Sequence, residues 1–398
     1  MQNKRNLFPG PLFPASPLPL QAMKKDRIRE YIRKVLENVP SDWLDLTTHR
    51  LDIYHEELAK TEFIQEFGKL FEKDIADRDA LSNLPTAYDY IRLGHPLSSV
   101  LEWAIAGVND VSSDYVIGFS SKTMPIMAVL RKNLFDKKET RILYTEKLPE
   151  AFDEATVEEV YGYSFTSKKI DALSEIGDFD GSTVMVMPTA TLGEIEFNDK
   201  VDFYVNLYGE LGSLLVINGE ENLDYVSAIQ HVRRRETIAM TPANCFRALE
   251  DFVGQNPDQL REEELTRSKS VVEDTIKQIT ATDSKPLLGS SGLSVQYGIM
   301  MGLIEDATRH HPEKPIKFLV PPNCYGGTND QARRVAACLD SVEIVDLPVD
   351  RENDMVDSLD RVLNKVAEVN AVPYIIAEIP TNPRVEVPDL EALQAVLK

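Results

Sequence analysis

Apolar and polar positions follow two different periods along the chain. Between residues 23 and 79, apolar residues recur every three or four positions, as in DRIREYIRKVLENV, which predicts amphipathic helices. After residue 80, short apolar runs such as DYVIGFSS, TRILYTE, STVMVMP and GSLLVIN stand between helical stretches. This alternation predicts an α/β fold in which helices cover both faces of a mainly parallel sheet.

The same pattern divides the chain into four parts. Residues 1–22 are rich in proline and too interrupted for a signal-peptide core, so they are interpreted as an extended arm. A helical segment is predicted over 23–79 and an α/β region over 80–285, which ends in a charged helical stretch. The strand–helix alternation then restarts over 286–398. An amphipathic stretch near residue 389 begins a further helix, and we expect that the architecture is incomplete at the C-terminus.

Composition narrows the classes of partner. The net charge of −22 over 398 residues disfavours binding to nucleic acid or to an anionic membrane surface. The basic run HVRRRE at 231–236 is interpreted as a solvated helix face, with a small-anion site as the alternative. Three cysteines and six histidines show no metal-ligand spacing, and the cysteine usage fits a reducing cytoplasm. No apolar run reaches transmembrane length.

Three loops in the second half carry candidate chemistry. Residues 289–293 (GSSGL) open a helix with small residues, which favours either an anion site or an ordinary N-cap. Residues 323–328 (NCYGGT) place an aromatic ring beside two glycines, for stacking on a flat ligand or for packing in a turn. Residues 378–383 (EIPTNP) form a stiff polar loop after an apolar strand, with a proline-rich Asx turn as the alternative.

The order of these loops gives a specific resemblance. SSGL, CYGGT and AEIPTNPRVEVPDLEAL resemble the Cys/Met-metabolism family of pyridoxal-phosphate enzymes, which includes cystathionine γ-synthase, cystathionine lyases, methionine γ-lyase and O-acyl-homoserine sulfhydrylases. The resemblance is continuous over 287–398. It implies the type I pyridoxal-phosphate-dependent transferase fold, pyridoxal 5′-phosphate as cofactor and a small amino acid as substrate.

The resemblance also implies roles for individual residues. Gly292 and Leu293 would donate backbone N–H groups to the cofactor phosphate, and Ser291 would cap the helix. Leu293 replaces the family's methionine, a change that leaves a main-chain contact intact. Tyr325, the one catalytic candidate, would stack on the pyridine ring and assist proton transfer.

Two residues of the third loop complete the implied site. Asn382 would lie near the 3′-oxygen of the cofactor, and Glu378 would support the site from beneath. The family's acidic partner of the ring nitrogen and its Schiff-base lysine come later in the sequence order, and this chain ends before either.

A second, fainter resemblance precedes the first. Residues 88–130 resemble the N-terminal part of the same family's sequences. Tyr90 and Arg92 fall on the pair that, in the family, reaches the phosphate of the cofactor bound to a neighbouring subunit. Lys122 stands where the family has the glycine of the phosphate cup. Asn206 or a neighbour stands in the place of the lysine. The region 80–285 is therefore interpreted as a degenerate copy.

These observations leave three hypotheses. The first is sulfur amino-acid metabolism by β- or γ-elimination or γ-replacement on cysteine, cystathionine or O-acyl-homoserine type substrates, in a homo-oligomer or a tandem pseudo-dimer. In that case the chain as given is expected to be inactive alone, because it lacks the lysine. The second is a non-catalytic pseudoenzyme or assembly subunit of the same fold. The third is another pyridoxal-phosphate enzyme, such as an aminotransferase.

Overall fold

The computed structural model describes residues 18–45, 56–88, 90–189, 193–255, 262–349, 354–382 and 384–398. Its helices and strands alternate in the way that the sequence predicts. The helices are α1 (Leu18–Glu37), α2 (Glu56–Glu72), α3 (Arg78–Ser82), α4 (Pro96–Asn109), α5 (Met124–Asp136), α6 (Glu154–Glu159), α7 (Tyr225–Glu236), α8 (Pro242–Phe252), α9 (Glu262–Thr280), α10 (Gly292–His310), α11 (Gly326–Ala336), α12 (Met355–Glu368) and α13 (Leu390–Val396). The strands are β1 (Val116–Phe119), β2 (Thr140–Tyr144), β3 (Thr166–Lys169), β4 (Ser182–Pro188), β5 (Phe203–Tyr208), β6 (Gly212–Ile217), β7 (Ile316–Val320), β8 (Val342–Asp346) and β9 (Val372–Ile375).

The strands form two sheets, one in each half of the chain. The first sheet has the order β1-β6-β5-β4-β2-β3, and the second has the order β8-β7-β9. In the described residues, both pairings of the second sheet and those among β3, β2, β4 and β5 are parallel, whereas β6 is antiparallel to both neighbours. The prediction of an α/β fold with a mainly parallel sheet is therefore confirmed.

Helices cover both faces of the first sheet, as predicted. Helices α1, α4 and α8 pack on one face through a core that includes Leu101, Tyr204 and Leu249. Helices α5 and α7 pack on the other face around Phe119 and Ile229. Alternate residues of each strand point to opposite faces, so both sides of the sheet are apolar and each needs a helical layer.

The second sheet is also covered on both faces. Phe318 of β7 contributes to the core beneath α10 and α11, and the next residue, Leu319, contributes to the core beneath α12 and α13. The apolar strand predicted before the third loop is β9, which is only half-buried, and its Pro373 is exposed. The reason is that β9 pairs with β7 alone in the described residues, and an edge strand accepts proline.

The two sheets share a local topology. In each, the strand after the serine-containing turn and its helix is flanked by the next two strands, giving β3-β2-β4 and β8-β7-β9 with parallel pairing throughout.

Residues 18–22 belong to α1 rather than to an extended arm, and the rest of the predicted arm lies outside the described residues. The boundaries at residues 79 and 285 stay predictions.

Candidate functional site

Helix α10 begins with two backbone donors that its own cap leaves free. The Ser291 hydroxyl accepts from the Ser294 N–H at 3.1 Å, and the Ser294 hydroxyl accepts from the Ser291 N–H at 2.8 Å, forming a capping box. Among the described residues, the N–H groups of Gly292 and Leu293 have no acceptor. A Cβ added to Gly292 would meet nothing within 4 Å, so a ligand has room to approach. Two free donors at the start of a 19-residue helix form a suitable anion site.

Helix α11 begins beside this cup. The Gln331 side chain donates to the Leu293 carbonyl at 2.8 Å, and the Gln296 side-chain nitrogen donates to the Thr328 carbonyl at 3.4 Å. A Cβ added to Gly327 would lie 3.1 Å from the Leu293 side chain, which shows how closely the two helices approach. The two helix N-termini therefore form one polar surface, called here the α10/α11 cup and made of Ser291–Leu293 and Tyr325–Thr328.

Tyr325 is the N-cap residue of α11, and its ring lies over the first turn of that helix. A Cβ on Gly327 would come within 2.5 Å of the Tyr325 ring, so glycine is needed for the ring to lie there. The ring is partly exposed, as a stacking surface must be. The Tyr325 ring thus packs on its own turn, as the second interpretation of the NCYGGT loop predicts, and stacking on a ligand stays a prediction.

Glu378 joins the third loop (378–383) to the second loop (323–328) by hydrogen bonds. Its carboxylate accepts from the Tyr325 N–H at 2.8 Å and from the Thr328 hydroxyl at 2.7 Å. A carboxylate at a helix N-terminus is favoured by the helix dipole as well as by these bonds. Burial, and then the nearby Glu378 carboxylate, raise the pKa of the Cys324 thiol, so this cysteine is protonated at neutral pH. Glu378 therefore positions the start of α11.

The turn after Glu378 is held by Thr381, not by Asn382. Thr381 donates its N–H to the Glu386 carbonyl at 3.0 Å, and its hydroxyl accepts from the Glu386 N–H at 3.0 Å. The Glu386 carboxylate accepts from the Asn323 side chain at 2.8 Å, which ties this turn to the NCYGGT loop. Asn382 is exposed, and its proposed position near a cofactor stays a prediction.

The corresponding turn in the first half of the chain has no free pair of donors. The Ser121 hydroxyl accepts from the N–H groups of Thr123 and Met124 at 3.2 and 3.1 Å, and the next residue, Pro125, has no N–H. Lys122 extends outward to pair with Glu210 at 3.1 Å. The N–H groups at the start of α5 thus already have the Ser121 hydroxyl as their acceptor, whereas those of Gly292 and Leu293 at the start of α10 have none among the described residues.

Tyr90 and Arg92 lie in the first half of the chain and contact each other. The Arg92 guanidinium lies 4.2 Å from the centre of the Tyr90 ring, and Arg92 is 4% exposed. Its carbonyl accepts from the Ala239 N–H at 3.1 Å. The structure therefore brings together Ser291, Gly292, Leu293, Tyr325 and Glu378, and the position of the Tyr90–Arg92 pair relative to a cofactor stays a prediction.

The interpretation of HVRRRE as a solvated face was wrong. Arg233 is fully buried; its guanidinium donates to the Glu102 carboxylate at 2.8 Å and to the Gly118 carbonyl at 3.0 Å. Lys60 also pairs with Glu102, at 2.8 Å. Burial would raise the pKa of Glu102, but the two cations outweigh burial and hold that pKa below its ordinary value. Composition could not reveal this, because the partners lie far away in sequence.

Sequence reasoning missed the polar residues that join the elements of the cup. Thr328, Gln296 and Gln331 link α10 to α11, yet Gln296 and Gln331 lay outside the candidate loops and Thr328 was given no role of its own. One signal was present: Thr328 and Gln331 occupy the positions of α11 that share a face with the buried Val335. Polar residues on an apolar helix face are usually hydrogen-bonded inside the protein.

The described residues contain no helix long and apolar enough to cross a membrane. Within the same ranges, no three or more His, Cys, Asp and Glu side chains are grouped so that they could hold a metal ion. Both findings concern only the part of the chain that the structure describes.

Comparison with known proteins gives only distant likenesses. No protein-family model matches the chain, and no curated protein matches it. Among solved structures, it is similar to metB from Corynebacterium glutamicum (10% identity over 62% of this chain and 69% of that one, TM-score 0.34). It is also similar to cystathionine gamma-lyase from yeast (11% identity, 64% and 68%, TM-score 0.35). A third similar structure is apo CalE6, a methionine gamma lyase from Micromonospora echinospora (14% identity, 49% and 61%, TM-score 0.28). At TM-scores below 0.5, these likenesses carry no conclusion about the site.

Proposed function

We propose that the α10/α11 cup binds the phosphate of pyridoxal 5′-phosphate, on a type I transferase fold, and that the protein acts in sulfur amino-acid metabolism. The observation that carries the proposal is the pair of N–H groups at Gly292 and Leu293, without an acceptor in the described residues, beside the partly exposed Tyr325. The sequence resemblance over 287–398 supplies the chemical class.

Each residue of the cup has one physical task. The N–H groups of Gly292 and Leu293 bind phosphate oxygens, and the Ser291 cap keeps both groups at the start of the helix. Tyr325 offers its ring face for stacking and its hydroxyl for holding or moving a proton. Glu378 keeps the Tyr325 backbone in place, and Asn382 is proposed to face the ring oxygen. The cofactor itself supplies an electron sink for charge that develops at the α and γ carbons of an amino-acid substrate.

The substrates proposed are cysteine, cystathionine or an O-acyl-homoserine, with elimination or replacement at the β or γ carbon. In the described part of the chain, the side chains that hydrogen-bond to the residues of the cup are those of Glu378, Gln331, Gln296, Ser291 and Ser294, and none of these is a lysine. Binding to the chain as given is therefore expected to be non-covalent. Borohydride treatment with the cofactor should trap no adduct at one specific lysine, and such an adduct would refute this part of the proposal.

The decisive experiment compares pyridoxal 5′-phosphate, pyridoxal and inorganic phosphate in equilibrium binding to the full chain. We expect the phosphate ester to bind more tightly than pyridoxal, and inorganic phosphate to compete with it. Tyr325→Ala should weaken binding of the ester more than that of phosphate, because only the ester has a ring to stack. Equal binding of pyridoxal and its phosphate would overturn the proposal.

For the first half of the chain we propose a non-catalytic role. The Ser121 hydroxyl accepts the N–H groups of Thr123 and Met124 at the start of α5, so these groups are not free to bind a second cofactor phosphate. The shared strand order of the two sheets supports the interpretation of a degenerate copy in a tandem pseudo-dimer. If Tyr90 and Arg92 complete the proposed cofactor site, within the chain or across subunits, Arg92→Ala should weaken cofactor affinity, and unchanged affinity would contradict this role. Light scattering on the same samples shows whether the affected species is a monomer or an oligomer.

A further inference from the structure

The C-terminal turn of α7, which belongs to the first half of the chain, packs against α11 of the second half. Arg131 pairs with Glu236, and Arg334 reaches the same carboxylate at 3.1 Å. A second Arg131 nitrogen donates to the Arg334 carbonyl at 2.6 Å. Arg131 and Glu236 are 5% exposed, so this ion pair is excluded from solvent and has a defined geometry.

Gln331 extends this contact to the cup. It lies on α11, is fully buried, and its side-chain nitrogen donates both to the Arg235 carbonyl of α7 at 2.9 Å and to the Leu293 carbonyl of α10 at 2.8 Å. One carboxamide therefore joins three helices. Both hydrogens of the amide are used, so no other orientation of the group makes both bonds, and its oxygen has no donor among the described residues.

We propose that Gln331 is a positioning residue through which the first half of the chain sets the geometry of the α10/α11 cup. Leu293 carries one of the two free N–H groups, and Gln331 holds its carbonyl relative to α11, where Tyr325 lies. Nearby, Arg235 pairs with Asp330 of α11 at 2.9 Å, which strengthens the same junction. The part of this inference that concerns a ligand depends on the proposed phosphate site; the part that concerns geometry does not.

The test uses Gln331→Met, which keeps the side-chain length and removes both donors, with Gln230→Met as the matched control. Gln230 lies on α7 and accepts from the buried Arg233 at 2.7 Å, so its substitution removes one internal hydrogen bond away from the cup. In ligand-free, glycine-labelled full chain, Gln331→Met should shift the amide resonances of Gly292, Gly326 and Gly327, whereas Gln230→Met should not. Unchanged resonances in Gln331→Met would overturn the proposal.

Phosphate binding provides the second readout. Gln331→Met should weaken the affinity for inorganic phosphate about tenfold, because the Leu293 N–H is then less well placed, while Gln230→Met leaves the affinity unchanged. If the unsubstituted chain does not bind phosphate, the proposed function fails and the amide resonances still decide the role of Gln331. If Gln331→Met does not fold, Asp330→Asn, at a part-exposed site, should shift the same resonances to a smaller extent, and no shift there would contradict the proposal.

Discussion

The carboxylate of Glu378 accepts the backbone N–H of Tyr325 at 2.8 Å across 53 residues of sequence. The same carboxylate accepts the Thr328 hydroxyl at 2.7 Å. Glu378, which was expected to support the site from beneath, thus accepts hydrogen bonds from the N-cap residue and the first turn of α11. Glu378 is the first residue of the EIPTNP loop, so this contact fixes the start of that loop beside α11.

Removing this cap should destabilise the second half of the chain. Glu378→Ala leaves the Tyr325 N–H without an acceptor, and we expect the free energy of unfolding to fall by about 1–2 kcal/mol. Urea denaturation followed by circular dichroism measures the change. Glu386→Ala is the matched control, since its carboxylate accepts from Asn323 at an exposed site and its loss should cost less than about 0.5 kcal/mol. Equal effects of the two substitutions would contradict the cap.

The two adjacent glycines of the NCYGGT loop should respond oppositely to alanine. Gly327→Ala places a Cβ within 2.5 Å of the Tyr325 ring, so the ring must move, at a cost of about 1–3 kcal/mol. Gly326→Ala meets nothing within 4 Å and should stabilise the helix by about 0.5–1 kcal/mol. Thermal unfolding of both variants checks the difference. A tolerated Gly327→Ala would show that the ring does not lie over this turn.

The buried Arg233–Glu102 pair should be costly to break from one side. Arg233→Met leaves Glu102 with Lys60 as its one remaining cation in the described residues, and we expect a loss of about 3–5 kcal/mol. Glu102→Gln should cost less in the Arg233→Met background than in the unsubstituted chain, because it then leaves one buried cation, Lys60, without its carboxylate instead of two. A double-mutant cycle by urea denaturation measures this coupling. Strictly additive effects would contradict the ion pair.

The carboxylate of Glu102 also predicts how the stability of the protein changes at acidic pH. Because the pKa of Glu102 is lowered in the folded state, its ionisation stabilises the protein above the unfolded pKa, and this stabilisation is lost as pH falls through the folded pKa. Glu102→Gln should therefore be less stable than the unsubstituted chain at pH 7, and the difference should narrow below about pH 4.5. A difference that does not change with pH would oppose this assignment.

His95 should make the free energy of unfolding depend on pH in a range above the one in which Glu102 acts. Burial, the largest effect, lowers its pKa to about 4, and the neutral ring accepts from the Ser98 N–H and donates to the Met240 carbonyl at 2.7 Å. The unfolded chain takes up a proton below about pH 6.5, so stability is lost as pH falls from there towards 4. We expect a loss of about 2 kcal/mol between pH 7 and pH 5. His95→Gln should be less stable at pH 7 and should lack this slope.

Much of the fold could be predicted from the sequence. The three- and four-residue spacing gave α1 and α2, and the apolar runs gave β1, β2, β4 and β6, because burial of one face imposes those periods. The strand β3 was missed, since its sequence TSKK is polar and exposed at the edge of the sheet. The capping function of Ser291 was also predicted, since it depends on a residue three positions away.

The sequence alone determined local structure: which residues form helices and strands, which face of each is apolar, and where small residues open a helix. Only the tertiary structure decided which polar groups meet. Arg233 lies 131 residues from Glu102, and Gln331 lies 96 from Arg235. Periodicity shows that a side chain points inward, but a buried charge or amide is stable only beside its partner. That partner is set by the packing of distant elements, which no local pattern encodes.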